Sequence, residues 1–196
     1  MSKHINSLCK TVNFHLRNLW RIRRFIITRE ACHNVVWGLV LSRLDYANSL
    51  LLGARKVDLK RLQRLQNKAA RLVFSCGRDQ PSAGLLQELH WLPVKQRIHY
   101  KVLLYIYKCL HSDAPRYLID LVTTHRSQHS LDCQRRLRSF SDHTRLSVGR
   151  SKKKAGDSSF IIGAPRLWNQ LPADLREAVS VLTFKRMLKT FLFPDN

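Results

Sequence analysis

Apolar positions recur at intervals of three and four along most of the chain, the period of an α-helix. Over Ser2–Ile27 the series is Ile5, Leu8, Val12, Leu16, Leu19, Ile22 and Ile26. Thr28 is an N-cap for the next segment, with Glu30 in its first turn. That segment, Arg29–Leu41, is almost wholly apolar from Val35 onward and reads as core. Ser42–Tyr46 continues it after a break, and Gly53 ends it. Asp58 is expected to cap a third helix, Leu59–Phe74, whose inner face is Leu59, Leu62, Gln66, Ala69 and Val73. Ser75–Gly84 reads as loop. Val94–Leu110 is the most apolar helix, with Ile98, Val102, Tyr105, Ile106 and Cys109 widened by Leu103, Leu104, Tyr107 and Leu110. A helix apolar over most of its circumference belongs inside a packed domain. Pro93 stands where a first-turn proline is tolerated, and Asp113-Ala114-Pro115 ends the helix, because the residue before a proline avoids the α region. Pro115–Val122 is a short helix.

Beyond Val122 the periodicity fades. Thr123–Asp157 is polar and rich in Arg, His and Ser; within it Arg136–Phe140 and Thr144–Val148 suit a short two-stranded ribbon. Asp157 is expected to cap a turn through Phe160, Ile161 and Ile162, which Pro165 interrupts or restarts, and Leu171-Pro172 breaks the chain again. Ser180 caps the last helix, with Phe184, Met187, Leu188, Phe191 and Leu192 on its apolar face. The expected fold is mainly α: a helical region over 1–76, then a helical domain over 77–196 that includes one short β-hairpin.

Charge changes this picture. The chain of 196 residues has 35 Lys+Arg against 13 Asp+Glu, a net charge of +22. Residues 1–78 carry 16 basic and 3 acidic groups (net +13), residues 79–125 carry 5 and 4 (net +1), and residues 126–196 carry 14 and 6 (net +8). Two basic flanks around a neutral centre favour polyanionic partners. Five scattered cysteines (Cys9, Cys32, Cys76, Cys109 and Cys133) suit a reduced, intracellular protein. No signal-peptide pattern and no run of bilayer-spanning length is present, so no membrane partner is expected.

Nucleotidyl transfer needs clustered carboxylates to hold two metal ions. The acids here are singletons, and no glycine-rich phosphate loop occurs, so neither catalysis nor a cofactor is expected. The cations, by contrast, form rows. Lys10, Arg17, Arg21 and Arg24, together with Lys3, line the first helix opposite its apolar face. Arg61, Arg64, Lys68 and Arg71 line the third at spacings of three, four and three. That helix would be roughly 24 Å long and would match about seven phosphates of one strand. Such rows are either nucleic-acid contacts or solvated helix faces. These eight cations are the candidate nucleic-acid-binding residues. His125, His129, Cys133 and His143 have loose metal-ligand spacing without a Cys-x-x-Cys, and are read as loop residues. His90, Trp91 and Trp168 are candidates for base stacking or, preferably, core residues. Arg150 with Lys152–Lys154 fits a nuclear import signal.

Several ordered blocks add a resemblance. They include Lys3-His4-Ile5-Asn6-x-x-Cys9-Lys10, Ser42-Arg43-Leu44-Asp45-Tyr46-x-Asn48-Ser49-Leu50-Leu51 and Leu62-Gln63-x-x-Gln66-Asn67-x-Ala69-Ala70-Arg71-Leu72. Leu89-His90-Trp91-Leu92-Pro93-Val94, Ala164-Pro165-x-Leu167-Trp168-Asn169-x-Leu171-Pro172 and Thr183-Phe184-Lys185-x-x-Leu188-Lys189 follow. Together they resemble the thumb and C-terminal part of reverse transcriptases from LINE-class, jockey-like non-LTR retrotransposons. Ala47 stands where that family usually has cysteine, and Pro81-Ser82-Ala83-Gly84 where it has His-Ile-Thr-Pro. The resemblance implies a thumb that grips template–primer duplex and a terminal domain that helps hold element RNA, without the palm and its catalytic aspartates. The expected function is therefore a non-catalytic remnant that binds RNA or DNA. The alternatives are a degenerate transposon-derived product with no selected activity, and a protein-interaction module.

Overall fold

The computed structural model describes residues 1–25, 28–122, 145–146, 148–149, 156 and 159–193; Arg24 is described by its backbone alone. Among the described residues every regular element is helical, so the fold is mainly α. The chain divides into two compact units, Met1–Arg97 and Ile98–Asn196.

The first unit opens with α1 (Ser2–Ile22), which buries Ile5, Cys9, Val12, Leu16 and Leu19 and runs into a 3-10 turn, Arg23–Phe25. The helix expected to reach Ile27 thus tightens after Ile22, and Ile26 and Ile27 lie outside the described residues. Thr28 caps α2 (Arg29–Val36): its hydroxyl accepts from the Ala31 N–H at 3.1 Å. No break follows. Trp37–Leu41 forms a π turn that leads directly into α3 (Ser42–Asp45), with the Ser42 N–H reaching back to the Trp37 carbonyl. Side chains bind carbonyls of this wider turn: the Ser42 hydroxyl donates to Gly38, and Arg43 Nη1 donates to Leu39 at 2.8 Å. A 3-10 turn, Asn48–Leu51, comes next.

α4 (Lys56–Phe74) is the axis of this unit, packed by α1, α2 and α5 (Ser82–Glu88). It starts three residues before the expected Leu59. Arg55 holds the extended N-cap position, so Asp58 does not cap the helix. Asp58 is instead buried in the first turn, where a carboxylate suits the helix dipole, with Arg55 Nε at 2.9 Å and Arg61 Nη1 at 3.5 Å. The other end of α4 is gathered by Arg23, whose Nε donates to the Leu72 carbonyl at 3.2 Å and Nη2 to that of Val73 at 3.4 Å. The expected Ser75–Gly84 loop is shorter than its composition suggests, because Ser82, Ala83 and Gly84 already belong to α5.

The Leu89–Val94 string docks on α4 and α2. Wholly buried Gln66 donates to the Leu92 carbonyl at 2.9 Å, and Gln63 Oε1 accepts from the Val94 N–H at 2.8 Å. Trp91 is 1% exposed, and its indole N–H donates to His33 Nε2 at 3.2 Å. Arg97 closes the unit with a forked pair onto Asp45, its Nε at 2.8 Å from Oδ1.

α6 (Val94–Leu110), with the bounds read from the sequence, belongs to the second unit from Ile98 onward and contributes Ile98, Val102, Leu103, Ile106 and Tyr107 to its core. The helix over 116–122 (α7) follows Pro115 as expected. α8 (Phe160–Asn169) carries Pro165 in its interior without a break. The lost N–H bond is outweighed by the buried face Gly163, Ala164, Pro165 and Trp168. α9 (Ala173–Arg176) starts after Pro172. Ser180 caps α10 (Val181–Leu192), its hydroxyl accepting from the Thr183 N–H at 3.1 Å. Tyr107 stacks between His111 and Phe184, ring centroids 4.1 and 4.2 Å away, and donates its hydroxyl to the Ala178 carbonyl at 2.6 Å. Trp168, 0% exposed, packs on Phe184. Asn169 clips Leu146 through two bonds of 2.9 and 2.8 Å. Of the expected ribbon, Arg136–Phe140 lies outside the described residues, and Arg145, Leu146 and Val148 of the other half are described and form no strand; Asp157, the His125–His143 run with Cys133, and the Arg150–Lys154 cluster lie outside the described residues.

Candidate nucleic-acid interface

α1 and α4 pack along much of their length through their apolar faces. Where their polar flanks diverge, they leave a groove of about 690 Å³. Asn13, Leu16, Arg17 and Trp20 line it from α1, and Arg64, Asn67, Lys68 and Arg71 from α4. Cys76, Gly77 and Arg78 close one end. The spacings are helical: 13, 17 and 20 on one wall, 64, 68 and 71 on the other.

The closed end has a definite cause. Ser75, at φ 55, takes the left-handed turn that ends α4. Its N–H bonds the Leu72 carbonyl at 3.2 Å and the Cys76 N–H bonds that of Arg71 at 3.1 Å, a Schellman motif. The chain therefore doubles back and brings Arg78 to the groove. Arg71 is fixed there by an Nη2 bond of 3.2 Å to the Gln80 carbonyl.

Of the eight candidate cations, Arg17, Arg64, Lys68 and Arg71 line this groove. Lys10 and Arg21 are exposed on α1 and do not line it. Arg61 lies one helical turn before Arg64 and is drawn toward Asp58, with Nη1 also 2.9 Å from Asn6 Oδ1. Arg24 is outside the described side chains. Sequence reasoning missed Arg78, Trp20, Asn13 and Asn67. For α1 a signal existed: Lys10, Asn13, Arg17 and Trp20 follow one another at three, four and three, so Trp20 belongs to the same stripe as the cations.

Among the described residues no carboxylate lines the groove, and five guanidinium or ammonium groups do. Lys68 Nζ reaches Asn13 Oδ1 at 3.5 Å, a neutral partner that leaves the charge uncompensated. Trp20 is 45% exposed, and no described ring or cation packs against its faces. The two tryptophans that the sequence offered for stacking, Trp91 and Trp168, are buried, and their role is structural.

Nearby titratable groups are tuned by burial. It pushes the Cys9 thiol up, the Arg61 charge partly opposing it and Asp58 adding to it. His15 is lowered by burial and then by Arg43. Cys76, in the groove wall, has its Sγ 3.8 Å from the Arg71 carbonyl. Among the described residues no group of three His, Cys, Asp or Glu side chains is placed to hold a metal ion. None of the described helices is long and apolar enough to cross a membrane. What the arrangement can do chemically is bind an extended anion. Compared with family models, curated proteins and solved structures, the chain finds no match in any of the three.

Proposed function

We propose that the chain grips nucleic acid by its sugar–phosphate backbone, as the thumb-like and C-terminal part of a LINE-class reverse transcriptase, and carries out no nucleotidyl transfer itself. The observation that carries this reading is the convergence of Arg17 from one helix with Arg64, Lys68 and Arg71 from another on a groove that no carboxylate of the described residues lines. The two helices lie far apart in sequence, and a set of merely solvated faces has no reason to converge. Surplus charge of one sign in a cleft focuses the field and draws in polyanions. The sequence blocks that resemble the reverse transcriptases support the assignment to that enzyme class.

A labelled-oligonucleotide anisotropy titration at several salt concentrations tests it. Four to five neutralised phosphates give a log–log slope of about −3 to −4. Absence of binding to every RNA and DNA probe at low salt removes the reading. A second reading, a protein-interaction module, is favoured by Tyr46 and Leu50, which stand 75% and 72% exposed in one short turn. Concentration-dependent self-association abolished by Tyr46→Ser and Leu50→Ser, together with no nucleic-acid affinity, would select it.

A further inference from the structure

Backbone contacts alone leave the groove's aromatic wall unexplained. Trp20 presents nearly half its surface to water inside a cleft that five cations line. Leu16 lines the cleft from the same helix, but Asn13 and Arg17 beside Trp20 and the lining residues of α4 are polar, and an indole 45% exposed among them is not there to fill a core. Positively charged grooves that carry a stackable ring are how proteins track unpaired strands, since every base offers a π-face.

Shape points the same way. The groove is half open and its volume, about 690 Å³, is that of a site for a ligand of modest size. A duplex is met by an element that protrudes into its grooves, the major groove being about 12 Å wide. Here the cations line the sides of a cleft between two helices instead. Base faces within a duplex are covered by their neighbours and reach a side chain only after extrusion; those of a single strand are accessible. Arg64 and Arg71 are separated by seven residues, about 10.5 Å of helix rise, so the cationic wall spans only a few nucleotides.

We propose that this groove takes an unpaired strand, one base stacking on Trp20 while the phosphates on either side meet Arg17, Arg64 and Lys68; the proposal rests on the backbone-binding reading above. Asn67 is the adjacent base-edge contact. Asn67 lines the groove and its Oδ1 is taken by Gln63 Nε2 at 2.8 Å, so its NH₂ is the group left to donate. One donor gives weak base preference, so binding is tolerant of sequence.

The test compares a fluorescein-labelled ten-nucleotide oligo-U and oligo-dT with a ten-base-pair duplex, by anisotropy on the full chain at matched salt. Both single strands are expected to bind more tightly than the duplex. Trp20→Ala is expected to weaken single-strand binding about 5- to 100-fold, with the salt slope unchanged. Trp20→Phe is expected to restore most of the loss, and Arg64→Glu to flatten the slope. Trp20 lies at the surface, and a matching circular dichroism spectrum for each variant excludes misfolding as the cause. Duplex binding as tight as single-strand binding, or no response to Trp20→Ala while Arg64→Glu weakens both, overturns the unpaired-strand proposal and leaves backbone binding standing. Failure of every probe at low salt overturns both.

Discussion

Gln66, with no exposed surface in the middle of α4, donates its side-chain amide to the main-chain carbonyl of Leu92 at 2.9 Å. That bond ties the Leu89–Val94 string to the axis of the first unit. Gln66→Leu keeps the volume and removes the donor, leaving a buried carbonyl unpaired. The expected loss is about 1–3 kcal/mol, read as a lower denaturant midpoint. An unchanged midpoint would show that the Leu92 carbonyl finds water.

Three helices end in left-handed residues that are not glycine. Ser75, His90 and Ser112 have φ of 55, 53 and 58, and each is followed by the six-to-one bond of a Schellman motif: Cys76 to Arg71, Trp91 to Leu86, Asp113 to Lys108. A Cβ in this region is strained. Gly84, conversely, sits inside α5 with nothing within 4 Å of an added Cβ. Ser75→Gly and Gly84→Ala, opposite exchanges, are each expected to stabilise by about 0.5–1 kcal/mol. Thermal melts of the two single variants and their combination check this.

Groove cations and outlying cations should separate in a binding assay. Each of Arg17→Ala, Arg64→Ala and Lys68→Ala removes one phosphate contact and is expected to lower the salt slope by about 1. Lys10→Ala and Arg21→Ala lie off the groove and should leave the slope nearly unchanged. Equal effects from all five would mean that diffuse charge, rather than the cleft, does the binding.

The thiols give a separate readout. Burial raises Cys9, Cys32 and Cys109, so their thiolate fraction at pH 8 falls below that of an ordinary cysteine and alkylation is slow. Cys76 is partly exposed in the groove wall. Iodoacetamide with mass-spectrometric mapping should modify Cys76 before those three, and a bound oligonucleotide should protect it. Protection without any change at the buried thiols would place the ligand in the groove.

His15 is lowered from its usual 6.5 by burial and by Arg43. The folded chain therefore binds this proton less readily than the unfolded chain. The contribution of His15 to stability is whole above about pH 6.5 and declines as pH falls from there toward the folded value. His15→Gln should remove that share of the acid-side loss, seen as a shallower fall of the unfolding midpoint between pH 7 and pH 5.

Much of the fold was legible because it rests on local chemistry. The bounds of α6, the caps at Thr28 and Ser180, and the break before Ala173 follow from hydrophobic period, hydroxyl caps and proline. The misses have separate causes. Asp58 looked like a cap, but the helix begins three residues earlier and Asp58 pairs with Arg55 and Arg61 inside its first turn. Pro165 looked like a break, but its helix is kept whole by a buried face. The Schellman turns were invisible because their sequence signal is glycine and these use serine and histidine. In the groove, the α4 cations could be read from spacing alone. Trp20 shares the Lys10–Arg17 stripe in the sequence, but only the facing α4 residues show that this stripe borders a cleft.

The π turn at Trp37–Leu41 has a consequence for how this segment tolerates length changes. A single π turn takes up one surplus residue within itself, so the helix on either side keeps its phase. Deleting Gly38 would therefore convert the turn to regular helix and leave Asp45 facing the Arg97 fork that it receives. In this stretch a one-residue shortening is expected to be absorbed locally, at the cost of the carbonyl contacts that Ser42 and Arg43 make in the wider turn.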